Sequence, residues 1–112
     1  MSNLSDFIKV RAIHWQYKNA DFTAEPGGHY IVDTENNDVT MTLPQNITSS
    51  FVVTIKDAAA NGTGFSNPNK FYVARHALSS ITIMGDTGPF DVDIPSQELS
   101  FVYNDNDNNV VI

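Results

Sequence analysis

The sequence predicts an all-β fold, a single-domain antiparallel β-sandwich or barrel-like module of about nine short strands. The clearest observation is the segment 39–43, where Val39, Met41 and Leu43 alternate with two threonines. This period of two places apolar side chains on one strand face and hydroxyls on the other. A second observation is that β-branched runs recur along the chain and end at Pro, Gly or Asn, the residues that turns require.

The first predicted element is an N-terminal arm, residues 1–25. Apolar and polar residues alternate through residues 7–17 but change parity near residues 12–13, which predicts a strand with a β-bulge. Residues 25–28 (Glu-Pro-Gly-Gly) then form a turn, and residues 26–112 form the β module.

The module contains the other predicted strands, which are bounded by turn residues. We expect residues 35–38 to be a tight hairpin loop, because Asn tolerates the left-handed conformation. Residues 57–69 are expected to form a long loop, and residues 104–109 the turn of a final hairpin. In chain order the predicted strands are 29–34, 39–43, 51–56, 71–76, 81–84, 90–94, 99–103 and 110–112.

Length, charge and composition limit the classes of function. The 112 residues suit one domain, and the absence of cysteine excludes disulfides and thiolate metal sites. A net charge of −7 argues against a nucleic-acid partner. No apolar run approaches the length of a membrane span and no signal peptide is recognisable, so we expect no membrane partner and no export by that route.

The charge is divided unevenly along the chain. Residues 1–18 carry a net charge of +2, whereas residues 19–112 carry −9. A basic arm on an acidic body can dock onto a copy of the same chain or onto another acidic partner. The alternative is that these basic side chains are simply solvated.

No pattern of residues predicts catalysis, a cofactor or a metal site. His14, His29 and His76 are too widely separated to suggest shared zinc ligands. Asp105 and Asp107 lie in a loop that lacks the spacing of a helix–loop–helix calcium site, so a solvated turn is favoured. The carboxylates at positions 91 and 93 share a strand face, which we interpret as the polar face of that strand rather than an acid–base pair.

The candidate interface lies in the arm, which is apolar and aromatic as well as basic. We expect these side chains to contact a neighbouring subunit or another protein, since Trp and Tyr often anchor interfaces. The alternative is that the arm adds an ordinary strand to its own sheet. The candidate interface residues are Phe7, Lys9, Arg11, Ile13, Trp15 and Tyr17.

Four sequence blocks follow one another along the chain and precede a final aromatic hairpin: Tyr-x-Val-Asp-Thr, Val-Thr-x-Thr-Leu-Pro, Val-x-Ile-Lys-Asp-Ala and Ile-x-Ile-x-Gly. Their order resembles a small β module of tailed bacteriophages, found in tail-fibre, head-fibre and related virion structural proteins. The matching segments are 30–34, 39–44, 53–58, 81–85, 99–105 and 110–112. The chain departs from the pattern in its last hairpin, which lacks the usual Asp-Gly and Trp, and in residues 64–68 of the long loop.

The resemblance implies a non-enzymatic virion protein that forms a homotrimer and binds other capsid or tail proteins. Such a protein is assembled in the cytoplasm of the bacterial host and ends in the virion, as a head-decoration, fibre, tail or collar component. The alternative function is receptor recognition, in which the loop tips at residues 62–69 and 104–109 bind bacterial surface carbohydrate. Both functions suit the same fold, so the fold alone does not separate them.

Overall fold

The computed structural model describes residues 14–58, 69–93 and 98–112. Within these ranges the chain forms ten β-strands, which lie in two sheets. In chain order they are β1 (Trp15–Lys18), β2 (Phe22–Thr23), β3 (His29–Val32), β4 (Val39–Thr42), β5 (Val52–Asp57), β6 (Phe71–Ala74), β7 (Thr82–Ile83), β8 (Phe90–Asp91), β9 (Glu98–Asn104) and β10 (Asn109–Val111).

The predicted all-β class is confirmed, and the arrangement is sandwich-like, but the sheets are mixed rather than antiparallel as predicted. One sheet has six strands in the order β1-β3-β5-β9-β10-β7, and the other has four in the order β2-β4-β6-β8. From β1 to β9 the chain alternates between the sheets, so β1, β3 and β5 run parallel in one and β2, β4 and β6 run parallel in the other. Antiparallel pairs join β5 to β9, β9 to β10 and β6 to β8.

The tight hairpin expected at residues 35–38 is also wrong, because β3 and β4 belong to different sheets. Residues 35–38 connect one sheet to the other, and their polar side chains form hydrogen bonds to the neighbouring loops. The Asp38 carboxylate accepts the Lys70 N–H at 2.8 Å, and the Asn37 amide donates to the Asn19 carbonyl at 3.3 Å. The final hairpin was predicted correctly, since β9 and β10 are antiparallel neighbours across residues 104–109.

The core lies between the two sheets and follows the predicted alternation. Val39, Met41 and Leu43 are completely buried, which confirms the strand face assigned from the sequence. Aromatic contacts join the sheets at two places. The Phe22 and Tyr30 ring centroids are 4.7 Å apart, and those of Phe90 and Phe101 are 6.5 Å apart.

Two turns depend on residues with unusual requirements. Gly28 lies so close to the buried Tyr30 ring that a Cβ atom at this position would be 2.6 Å from it. Met84 and Gly85 both have positive φ, 52° and 82°, between two reciprocal backbone hydrogen bonds of Ile83 and Asp86. This geometry is that of a type I′ turn, which favours Asn-Gly over Met-Gly.

The first two strands form edges of the sandwich. β1 pairs in parallel with β3 at one edge of the six-stranded sheet, and β2 pairs with β4 at one edge of the other. Ala24, which follows β2, is buried in the core. The division between an arm at residues 1–25 and a module at residues 26–112 stays a prediction. The positions of β1 and β2 show that residues 15–23 contribute to both sheets.

Candidate docking surface

The six-stranded sheet has an outer face that points away from the core. Strand register shows which residues share this face, since side chains alternate between the two sides of a strand. Val52 lies opposite Val102, and Val102 lies opposite Val111, so three valines form a row across β5, β9 and β10. We call this set the valine row. Val52 is 38% exposed and Val102 is 43% exposed, which is unusual for two apolar residues on central strands.

Polar and aromatic side chains lie beside the valine row on the same face. Trp15, His29, Thr54 and Ser100 form the next row, and the hydroxyls of Thr54 and Ser100 are hydrogen bonded at 3.0 Å. The row after it contains Tyr17, Ile31, Lys56 and Glu98. The outer face therefore presents apolar groups together with one lysine and one glutamate on neighbouring strands.

Trp15 and Tyr17 are the two predicted interface residues that the structure describes. Trp15 is half-buried, its ring meets that of His29 edge-on at 5.3 Å, and the Lys56 ammonium lies 5.6 Å from its centroid. Tyr17 is 57% exposed on the same face. Both belong to β1, which pairs with β3 of its own chain. Phe7, Lys9, Arg11, Ile13 and the bulge expected near residues 12–13 lie outside the described residues.

The exposed ring of Tyr17 is held in place by a carboxylate. Its hydroxyl donates a hydrogen bond to Asp33, whose other oxygen accepts the Glu35 N–H at 2.9 Å. The bond from Tyr17, helped by that from Glu35, lowers the pKa of Asp33 from its usual 3.8. The same bond raises the pKa of Tyr17 above its usual 10.0. An aromatic side chain fixed in this way loses less rotamer entropy on binding than a free one.

Lys18, the last basic residue of the arm, points to the other side of β1. Its ammonium lies 5.4 Å from the Phe22 ring centroid and 5.9 Å from that of Tyr30. These distances suit cation–π contacts, so this positive charge is used within its own chain.

The valine row was not predicted from the sequence. A signal was present, because Val52-Val53, Phe101-Val102 and Val110-Val111 are apolar pairs where strict alternation would place one polar residue. In each pair one residue is fully buried, and the other lies on the outer face. Such pairs indicate a strand that has apolar contacts on both sides.

The residues considered for metal binding and acid–base chemistry are placed as follows. In the described ranges no three His, Asp or Glu side chains are grouped to hold a metal ion. His29 shares a hydrogen bond with the Gly27 carbonyl at 3.1 Å. Asp91 forms an ion pair with Lys70 at 3.2 Å, which raises the pKa of the lysine.

Some polar side chains of the turn at residues 104–109 are bonded within the hairpin. The Asn104 amide donates to the Asp107 carboxylate at 3.2 Å, and the Asn104 carbonyl oxygen accepts the Asn106 N–H at 3.1 Å. Asn108 has a positive φ of 51° and accepts the Tyr103 hydroxyl at 2.8 Å. Part of this predicted receptor tip therefore closes the hairpin, and Asn108 and Asn109 also bond the segment at residues 80–85.

No protein-family model matches the chain, and no curated protein matches it in sequence. In the part of the chain that the structure describes, no helix is long and apolar enough to cross a membrane.

Proposed function

We propose that this chain is a non-enzymatic structural protein of a tailed-bacteriophage virion, a head-decoration, fibre, tail or collar component. It assembles as a homotrimer in the bacterial host and docks onto capsid or tail proteins. The order of the sequence blocks supports this proposal, since the resembling segments correspond to β3, β4, β5, β7 and the β9–β10 hairpin. The observation that carries self-assembly is the outer face with its exposed valine row.

A second copy of the chain is the occupant that this face suits best. The valine row supplies apolar area on the outer face, so three copies can bring their valine rows together around a threefold axis and bury them there. The charge division of the chain adds attraction. Without Lys18, whose ammonium lies over rings of its own chain, residues 1–17 still carry +1, whereas residues 19–112 carry −9. The fixed ring of Tyr17 extends the same face to the sheet edge.

The oligomeric state of the full chain tests this proposal. We expect light scattering at micromolar concentration to give three times the 12.4 kDa chain mass. Val102→Glu places a charge in the valine row and should give monomers, whereas Thr40→Glu, on the outer face of the four-stranded sheet, should leave the trimer intact. A stable 12.4 kDa monomer for the unmodified chain would refute self-assembly. A trimeric Val102→Glu variant would refute the assignment of this face.

Attachment to the particle is tested separately. The labelled chain should sediment with purified capsids or tails and should not bind host cells. The alternative function, receptor recognition through residues 62–69 and 104–109, predicts binding to host cells that is lost when those loops are exchanged. Residues 62–68 lie outside the described residues. In the second loop the Asn104 amide is bonded within the turn and the Asn108 amide is bonded to Ser80.

A further inference from the structure

One end of the sandwich carries an open cleft of about 280 Å³. Its walls come from three places: residues 45–47 after β4, residues 78–81 before β7, and the β9–β10 hairpin. A volume near the lower limit of small-molecule sites suits a ligand of one or two rings. The polar side chains that line the cleft are Gln45, Asn46, Ser79, Ser80, Tyr103 and Asn108.

Hydrogen bonds hold the walls of the cleft together. The Tyr103 hydroxyl donates to Asn108 at 2.8 Å, and the Asn108 amide donates to the Ser80 carbonyl at 3.3 Å. The Ser79 hydroxyl accepts the Ile81 N–H at 3.3 Å. These bonds connect the hairpin to the segment before β7, so the cleft is formed before a ligand arrives. A preformed site binds with a smaller entropy cost than one that must be ordered.

The side chains of the described residues that line the cleft are all uncharged. Amides and hydroxyls alternate with the aliphatic side chains of Ile47, Leu78 and Ile81, and no charged side chain lines the cleft. The chain has a net charge of −7, yet none of the carboxylates in its described part lines the cleft, which indicates a neutral ligand. Neither an ion nor a phosphate would find an opposite charge here. A neutral ligand with many hydroxyls would find both donors and acceptors.

Gln45 and Asn46 provide the groups that remain available to a ligand. Both are exposed, and among the described residues neither side-chain amide forms a hydrogen bond. Leu78, 75% exposed at the rim, and the half-buried ring of Tyr103 offer apolar surface. Amides that bond hydroxyls, next to an aromatic or aliphatic surface for the C–H face of a ring, are what a sugar requires.

We propose that this cleft binds a neutral saccharide. Gln45 and Asn46 bond the hydroxyls of the sugar, and Tyr103 and Leu78 contact its ring. This binding is independent of self-assembly, because Tyr103 faces the inner side of β9 and Val102 the outer side. It also differs from recognition by the tip of the 104–109 loop, since Asn108 is the one residue of that loop placed in the cleft.

The test is an NMR titration of the ¹⁵N-labelled full chain with glucose, galactose, N-acetylglucosamine and their disaccharides. We expect at least one of these sugars to shift the signals of Asn46, Ser80, Tyr103 and Asn108, with a dissociation constant in the millimolar range. Glucuronate and galacturonate, which carry a charge, should shift them at least tenfold less at equal concentration.

Matched variants locate the site. The double variant Gln45→Ala with Asn46→Ala should lose at least tenfold in affinity while keeping the circular-dichroism spectrum, because both residues are exposed. Asn106→Ala removes an exposed amide from the same hairpin, outside the cleft, and should bind normally. The proposal is overturned if none of the sugars shifts these signals, if charged sugars bind equally well, or if Asn106→Ala abolishes binding and the double variant does not.

Discussion

Replacing Met41 tests which side of β4, one of the two central strands of the four-stranded sheet, faces the core. Met41 is completely buried in β4, opposite Phe22 of β2 and Val73 of β6. Truncation of such a side chain to Ala costs about 2–5 kcal/mol. For a domain of this size each kcal/mol lowers Tm by about 4 °C, so Met41→Ala should lower it by about 8–20 °C.

Met41→Asp is predicted to be far worse. A carboxylate without a partner costs several kcal/mol more in the core, so the total reaches about 5 kcal/mol or more, a large part of the stability of an ordinary domain. Thr42, the next residue, is half-buried on the opposite face. Thr42→Asp should cost about 1 kcal/mol, the range of strand propensities.

The assay is thermal unfolding followed by circular dichroism, with urea titration to obtain the free energy of unfolding. All variants are compared at one protein concentration, because the Tm of a self-associating chain depends on concentration. Equal Tm shifts for Met41→Asp and Thr42→Asp would show that the assigned strand register is wrong. A small effect of Met41→Ala with a large effect of Thr42→Asp would place the core on the other face.

Three other variants test local features. Met84→Asn should raise the free energy of unfolding by about 0.5–1 kcal/mol, because Asn tolerates the positive φ of 52° better than Met; an unchanged Tm would contradict the turn assignment. Gly28→Ala should lower stability by about 1–3 kcal/mol, as expected for overpacking, since the new Cβ would be 2.6 Å from the buried Tyr30 ring; a neutral result in urea titration would argue against this close approach. Tyr17→Phe should move the pKa of Asp33 up towards 3.8, measured by NMR titration. Because the folded pKa of Asp33 is lowered, the stability that this bond supplies is complete above pH 3.8 and is lost as the pH falls through the folded pKa. If the free energy of unfolding of Tyr17→Phe fell with decreasing pH as it does in the unmodified chain, the stabilising role of this bond would be refuted.

Most strand positions could be predicted from the sequence, whereas strand pairing could be predicted only for the final hairpin, β9 with β10. The alternation through residues 39–43 locates β4 and its buried face, because a half-buried strand has the same period of two in any sheet. For the same reason that alternation does not distinguish parallel from antiparallel neighbours. The Asn-rich segment at residues 35–38 suits a hairpin loop and a corner between sheets equally, and the structure has the corner. The two-residue strand β2 was not predicted.

The candidate surfaces were predictable to different degrees. Trp15 and Tyr17 share a parity, so their common face follows from the sequence. The valine row could have been found from the apolar pairs, but its continuity needs the register of β5, β9 and β10. The cleft could not be predicted, because its walls come from three segments of the chain, at residues 45–47, 78–81 and 103–108, that only the sheet topology brings together.

Strand β9 contributes one residue to each proposed binding surface, on opposite faces of the sheet. Val102 lies on the outer face, in the row proposed for contact with another copy, whereas Tyr103 faces inward and reaches the cleft. Neighbouring residues of a strand point to opposite faces, so one segment can serve both surfaces without either occupant touching the other. A change at Val102 should therefore alter oligomeric mass and leave saccharide affinity unchanged. If both changed together, assembly and ligand binding would share a coupling free energy, and the proposed independence of the two surfaces would be refuted.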